Sequence, residues 1–351
     1  MTPTGYVDVL DELRKKTRVA EGPLSLLSFT IAGVQSFLDS ARTTRDVWNG
    51  SYLLSYLVWK ATERGLSEII NRASLSSPAE TAAFVLLPAI EKQPFWQHWT
   101  NGAPTVSSVA NFPNAVLLMA PGDEKAADEI AAAMVQAVKE TWANICAECR
   151  KPLRHFLDGC KAGSLWDYQL GWRERPKERP WQQIFEIYTS VVRLPEDREF
   201  DQLAARLGLD RGRGPAGQLI ELAMRSLAAR KSLRDFEQYV HEGLRCSLCG
   251  SRTALPGTSS AGDLREFWEA VRADRALRYT FRDGERLCAV CTVRRLAPLQ
   301  YFVGVFPSIR PSIFFPSTST IATAAWGREV IELAKTQREV QQAVRDFTNQ
   351  L

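Results

Sequence analysis

The sequence predicts an α+β protein in which a ferredoxin-like, palm-like βαββαβ domain is followed by a mainly helical zinc-binding domain. Three observations predict it. Between residues 24 and 192, segments of strand and helix character follow the order strand, helix, strand, strand, helix, strand, which is the split βαβ arrangement of palm domains. After Pro195 the strands give way to short helical segments. Two cysteine pairs, Cys246-Ser-Leu-Cys249 and Cys288-Ala-Val-Cys291, then lie within the helical part. The predicted boundaries are an N-terminal arm at 1–22, a degenerate palm-like domain at 23–195, and a helical domain at 196–351.

Residues 1–22 are polar and end in Glu21-Gly22-Pro23, which fits an arm or a short helix. Leu24 to Ile31 is apolar and holds Phe29, Thr30 and Ile31, so it reads as a buried strand ended by Gly33. The spacing of Val34, Phe37, Leu38 and Ala41 is helical. After Arg42-Thr-Thr-Arg-Asp46 a second helix is predicted from about Val47 to Ile70, with Thr43 and Asp46 in the pattern of a capping box. Phe84 to Leu87 and Ala115 to Met119 are short strands, the second bounded by Pro113-Asn114 and Pro121-Gly122. Ala126 to Cys149 carries Ile130, Met134, Val138, Trp142 and Ile145 on one helical face, and Asp123-Glu124 before it suits a helix N-terminus. Ile184 to Val192 alternates and makes the fourth strand. Beyond it, 197–243 reads as short helices interrupted at Arg211-Gly-Arg-Gly-Pro215, and the last 25 residues as a single amphipathic helix.

Composition excludes several classes. With 45% hydrophobic and 24% charged residues this is an ordinary globular chain, and no apolar run approaches the roughly 18–20 residues of a membrane span. The first residues, with Asp8, Asp11 and Glu12, do not read as a signal peptide, so a cytoplasmic, reduced setting is expected. A net charge of +4 permits an anionic partner without demanding one. The basic runs at Arg14–Arg18, Arg173–Arg179, Arg211–Arg213 and Arg294-Arg295 read first as solvated faces, and second as contacts to nucleic acid.

Cys246, Cys249, Cys288 and Cys291 are the strongest chemical signal. Each C-x-x-C pair offers two thiolates, and four close a tetrahedral zinc shell of the structural kind, with no open position for catalysis. The 38 residues between the pairs exceed the usual roughly 15–20, so an inserted helix around Phe267 to Val271 is expected. Four unconnected thiols is the competing reading, but two such pairs rarely arise by chance. Cys146-x-x-Cys149, with His155 and Cys160, lies at the end of an amphipathic helix and reads as buried thiols instead. Only three histidines occur, so a His/Asp hydrolytic centre is not available, and nucleophile-elbow and Walker patterns are absent. A catalytic palm needs paired carboxylates between its second and third strands. From Ala89 to Asn114 there is one acid, Glu91, so this palm looks degenerate. Arg42 to Asp46 is open to two readings: a capped helix start, or an anion site built from free N–H groups, hydroxyls and guanidinium groups.

These residues together resemble one family, the Cmr-type large subunit of type III-B CRISPR RNA-guided effector complexes. The resemblance rests on Gly33-Val-Gln-Ser-Phe, Ala41-Arg-Thr-Thr-Arg-Asp-Val-Trp, Gly50-Ser-Tyr-Leu-Leu, Phe112-Pro-Asn, the two cysteine pairs, Glu285-Arg-Leu-Cys288, and Phe315-Pro-Ser-Thr-Ser-Thr-Ile-Ala322, in order over about residues 24–325. It implies a palm-like domain and a helical zinc-bearing domain in an antiviral ribonucleoprotein with guide RNA, target RNA and other effector subunits. In the family, a second palm with a Gly-Gly-Asp-Asp motif makes cyclic oligoadenylates from ATP, and many members begin with an HD nuclease domain. Neither motif occurs in this chain. The resemblance further implies nucleotide near Gln35, Arg42, Thr43, Thr44, Arg45 and Ser51, at an interface with a second palm. Three functions follow: a structural subunit, or N-terminal half of a large subunit, without its own catalytic centre; half of a cyclic-oligoadenylate synthase completed by a separately encoded GGDD palm; or a free zinc-stabilised nucleic-acid-binding regulator.

Overall fold

Strand β1 (Leu24–Ala32) runs through the middle of the protein, with eight of its nine residues buried. A strand with apolar residues at both parities must be covered on both faces, and this one is. In the computed structural model, which describes residues 5–19, 21–102, 108–158, 161–171, 185–195, 199–233, 242–277, 280–313 and 322–349, β1 pairs with β3 (Ala115–Pro121) and β4 (Glu186–Arg193). β2 (Val85–Leu87) adds to the far side of β3, and every pairing is antiparallel, in the order β2-β3-β1-β4. The register sets Phe29 opposite Val116 and Thr189, and Leu26 opposite Met119 and Val192.

On one face lie two long helices, α3 (Thr44–Ala73) and α5 (Glu124–Arg150), packed on each other and on the sheet. Each begins with a side-chain cap: the Asp46 N–H donates to Thr43 Oγ1 at 3.1 Å, and the Ala126 N–H to Asp123 Oδ1 at 2.9 Å. The Thr43 cap explains why α3 begins at Thr44, a turn earlier than the first apolar residue of its pattern, Val47. The other face is closed by α1 (Tyr6–Thr17), α8 (Glu199–Leu207) and α9 (Gly214–Ser232), through a cluster with Tyr6, Leu24, Leu26, Phe200, Leu219 and Leu222. Burying such side chains contributes about 1.5–3 kcal/mol each. Position 195 thus falls between the fourth strand and helices that cover the same sheet.

Further helices are α2 (Val34–Asp39), α4 (Pro94–Asn101), α6 (Arg154–Leu157), α7 (Lys161–Leu170), α10 (Ala261–Ala273) and α11 (Ala289–Ala297). The inserted helix expected between the pairs is α10. Residues 1–310 form one compact unit and 311–351 another. In the second, the single terminal helix of the sequence reading is corrected to two, Ala324–Thr336 and Arg338–Asn349, because Gln337 is extended at φ −116°, ψ 115°. The Thr336 hydroxyl donates to the Leu333 carbonyl at 3.2 Å, drawing a helix carbonyl into local bonding at the break. The run Arg173–Arg179, Cys160, His241 and most of the Phe315–Ala322 motif lie outside the described residues. Among the described residues no helix is long and apolar enough to cross a membrane.

Candidate functional site

The chain brings its two cysteine pairs together. The Sγ atoms of Cys246, Cys249, Cys288 and Cys291 all lie within 4.8 Å of one another, and Cys249 and Cys288 are 3.8 Å apart. A metal bound to four sulfurs at about 2.3 Å in a tetrahedron requires sulfur separations of about 3.8 Å, so the donor set fits. Local chemistry forms each knuckle. In the first, the Gly250 N–H donates to the Cys246 carbonyl at 2.9 Å, and Gly250 has φ 66°, a left-handed conformation that glycine adopts without strain. In the second, Cys288 is the N-cap of α11, and its sulfur accepts from the Cys291 N–H at 3.4 Å.

Two residues outside the pairs hold the knuckles in place. Gln169, on α7 and buried, donates from Nε2 to the Thr253 carbonyl at 2.8 Å and accepts from the Ala289 N–H at 2.8 Å, so one amide spans both cysteine segments. Trp268, on α10, donates to the Leu255 carbonyl at 2.8 Å. Burial pushes the Cys288 thiol up, whereas hydrogen bonding with Cys246 holds Cys249 down. Were all four ionised, the buried cluster would need a cation between the sulfurs, which is what a tetrathiolate metal site supplies. Cys146 and Cys149 lie apart on α5. Burial pushes both thiols up, and Cys149 donates to the Val293 carbonyl at 3.8 Å. Among the described residues they join no metal-binding cluster.

The Arg42–Asp46 stretch packs against the second knuckle. Arg295 Nε lies 2.6 Å from Asp46 Oδ1 and its Nη2 donates to Asp46 Oδ2 at 3.0 Å. The same guanidinium meets Glu285 Oε1 and Oε2 at 3.1 and 3.0 Å and the Thr280 carbonyl at 3.1 Å. Arg45 donates to that carbonyl too, also at 3.1 Å. Two cations and two carboxylates therefore share one site. Burial works against the Arg295 cation, but Asp46 and Glu285 more than offset it and raise its pKa, while burial lowers that of Arg45.

This corrects the reading of Arg294-Arg295 as a solvated basic run, since both side chains are buried in α11. Arg294 donates to the Phe37 carbonyl at 2.6 Å and to Ser40 Oγ at 2.9 Å, and its guanidinium lies 5.2 Å from the centre of the Phe37 ring. Gly50 permits this approach. A Cβ there would come within 2.9 Å of Leu38 and 3.5 Å of Arg294. The capping box is also half of what its pattern suggests, because Thr43 caps the helix while the Asp46 carboxylate turns to Arg295.

The six residues that the resemblance assigns to nucleotide therefore divide. Thr43 is the helix cap and Arg45 donates to the Thr280 carbonyl, which it shares with Arg295. Gln35, Arg42 and Thr44 are exposed, with Gln35 donating to Asp39 at 3.3 Å, and Ser51 is half-buried. Gln169, Asp46 and Glu285 are the structural partners that sequence reasoning missed.

Residues 26–147 match the family described as CRISPR-associated protein Cmr2, N-terminal. The chain is 24% identical over 311 residues to the CRISPR system Cmr subunit Cmr2 of Pyrococcus furiosus, covering 78% of this chain and 31% of that protein. Among solved structures, a chain of type III-B Cmr-beta in its apo state superposes with a TM-score of 0.55 at 16% identity, covering 95% of this chain and 39% of the other. Type III-B Cmr-beta bound to cognate target RNA gives 0.46 at 16% identity, with 93% and 39% coverage. The chain thus spans about a third of the length of the curated relative it matches, and the structural likeness is one of fold.

Proposed function

We propose that this chain, whose residues 26–147 match the Cmr2 N-terminal family, serves as a structural, RNA-proximal part of a type III CRISPR effector ribonucleoprotein. The observation that carries this is the family match over residues 26–147, joined in one compact unit to a closed four-cysteine cluster. In this reading, residues 23–195 are a ferredoxin-like palm without catalytic carboxylates, supported by the antiparallel order β2-β3-β1-β4, and residues 196–351 form the zinc-bearing helical domain. Zinc suits a buried tetrathiolate better than harder cations do, and it has a structural role here, holding two knuckles together. The proposed partners are the other effector subunits, guide RNA and target RNA, in the cytoplasm. Affinity purification of the tagged chain from its host is expected to recover other effector subunits and short guide RNAs. Recovery of neither overturns the assignment.

The second reading, half of a cyclic-oligoadenylate synthase, is favoured by one observation. With Arg45 bound to the Thr280 carbonyl and Asp46 to Arg295, Gln35, Arg42 and Thr44 still face solvent beside the start of α3, where polar groups can meet a phosphate. We propose ATP at this face when a GGDD palm from another chain docks there. In a mixture with such a palm, Arg42→Ala is expected to weaken ATP binding about tenfold, the lower range for a lost charge-assisted hydrogen bond of about 1.5–3 kcal/mol. Calorimetric titration checks it. An unchanged affinity removes Arg42 from the nucleotide contact.

A further inference from the structure

We infer that Arg294 and Arg295 are positioning residues that make the order of residues 37–50 depend on metal at the four cysteines. This rests on reading the cluster as a metal centre, and it adds a regulated target to that centre. The connection runs through one short helix. Cys288 caps α11, Cys291 lies in its first turn, and Arg294 and Arg295 follow three and four positions later, in its next turn. The helix continues through a π-helical turn at Pro298–Phe302 into Val303–Val305, so its C-terminal side is extended and its N-terminal side is the end the ligands occupy. Two of the four metal ligands sit at its N-terminal end, so metal binding fixes the end from which both arginines are placed.

Each arginine then fixes a different part of the stretch. Arg294 holds the C-terminal end of α2 through the Phe37 carbonyl and the Ser40 hydroxyl. Arg295 holds the first turn of α3 through both oxygens of Asp46. The exposed Arg42 and Thr44 lie between these two anchor points in the chain, so their placement follows from both.

A shared cavity gives a second reason for the dependence. Arg294 is 1% exposed, and its Nε and Nη2 have no hydrogen-bond partner among the described residues, nor has Nε of Arg252. Arg294 and Arg252 line a cavity of about 440 Å³ whose wall includes Cys249 and Cys291. Glu186 reaches the same cavity, where Tyr188 donates to one of its oxygens. Metal on Cys249 and Cys291 fixes two residues in the wall of the cavity that Arg294 and Arg252 share, so the ligands and Arg294 are placed together.

The test is hydrogen exchange on the full chain as purified, after removal of metal by a chelator, and after adding zinc back. Metal removal is expected to speed exchange of the amides of residues 41–48 by about tenfold or more, to leave the middle of α5 unchanged, and to reverse with zinc. Arg295→Gln is expected to produce the same acceleration with zinc content intact, and Arg295→Lys to fail to rescue it, because an ammonium cannot reproduce the planar fork. Unchanged exchange at 41–48 after metal loss, or in Arg295→Gln, overturns the inference. If metal loss speeds exchange throughout, Arg295→Gln decides. Purified protein without metal defeats the metal-centre reading itself, whereas metal present without coupling defeats only this inference.

Discussion

Replacing Arg295 by methionine is expected to destabilise the protein by about 3–5 kcal/mol, the cost of breaking a buried ion pair from one side. The side chains of Arg295 and Asp46 are each only 1% exposed, so solvent screens neither. Without the guanidinium, Asp46 is left as a buried carboxylate, Glu285 loses both its contacts to Arg295, and the Thr280 carbonyl keeps Arg45. Glu285 is 16% exposed and can turn toward water, so Glu285→Gln is expected to cost less, about 1–2 kcal/mol. The order of the two variants separates this account from general surface electrostatics, which would make them equal and salt-sensitive. Urea unfolding followed by tryptophan fluorescence measures both. A loss below about 1 kcal/mol in Arg295→Met would mean that the pair does not hold α3 to α11.

The elements were legible where one period dominates. β1 shows as a continuous apolar run, and α3 and α5 show through helical spacing, because each buries a wide face. The cysteine pairs were legible for a different reason: metal chemistry constrains spacing tightly enough to read without a fold. The partners of the Arg42–Asp46 stretch were not legible. Asp46 and Arg295 are 249 positions apart, and a charged residue carries a strong prior of exposure. One sign was available in Ala289-Val-Cys-Thr-Val-Arg-Arg-Leu-Ala297, where two arginines interrupt an apolar helix with almost no polar face to reach solvent. Gln169 offered no sign at all, since its role depends on two backbone groups in distant segments. The break at Gln337 escaped because the spacing of apolar residues continues across it, whereas backbone geometry does not.

Cys288→Ser is expected to lower bound zinc from about one equivalent per chain to below about 0.2, and to loosen residues 244–297 as a unit. Cys288 does more than supply one of four ligands. It caps α11, and its sulfur accepts the Cys291 N–H, so serine can replace the cap but not the thiolate. In isolated zinc-finger peptides the metal supplies roughly 10–16 kcal/mol at neutral pH. The loss here is expected to be a fraction of that, because Val290, Val293 and Leu296 remain buried and continue to hold α11 by packing. Cys149→Ser is the matched control. Its thiol is also buried, on α5 outside the cluster, and zinc content should not change. The pH dependence has a fixed sign: metal displaces protons from the thiols, so affinity falls as pH falls, and Cys288, whose thiol burial holds up, contributes strongly to that fall. Elemental analysis across a pH series checks both parts. Full zinc retention in Cys288→Ser, or equal loss in Cys149→Ser, would separate the cluster from the metal and leave α11 held by packing and by the Asp46–Arg295–Glu285 site alone.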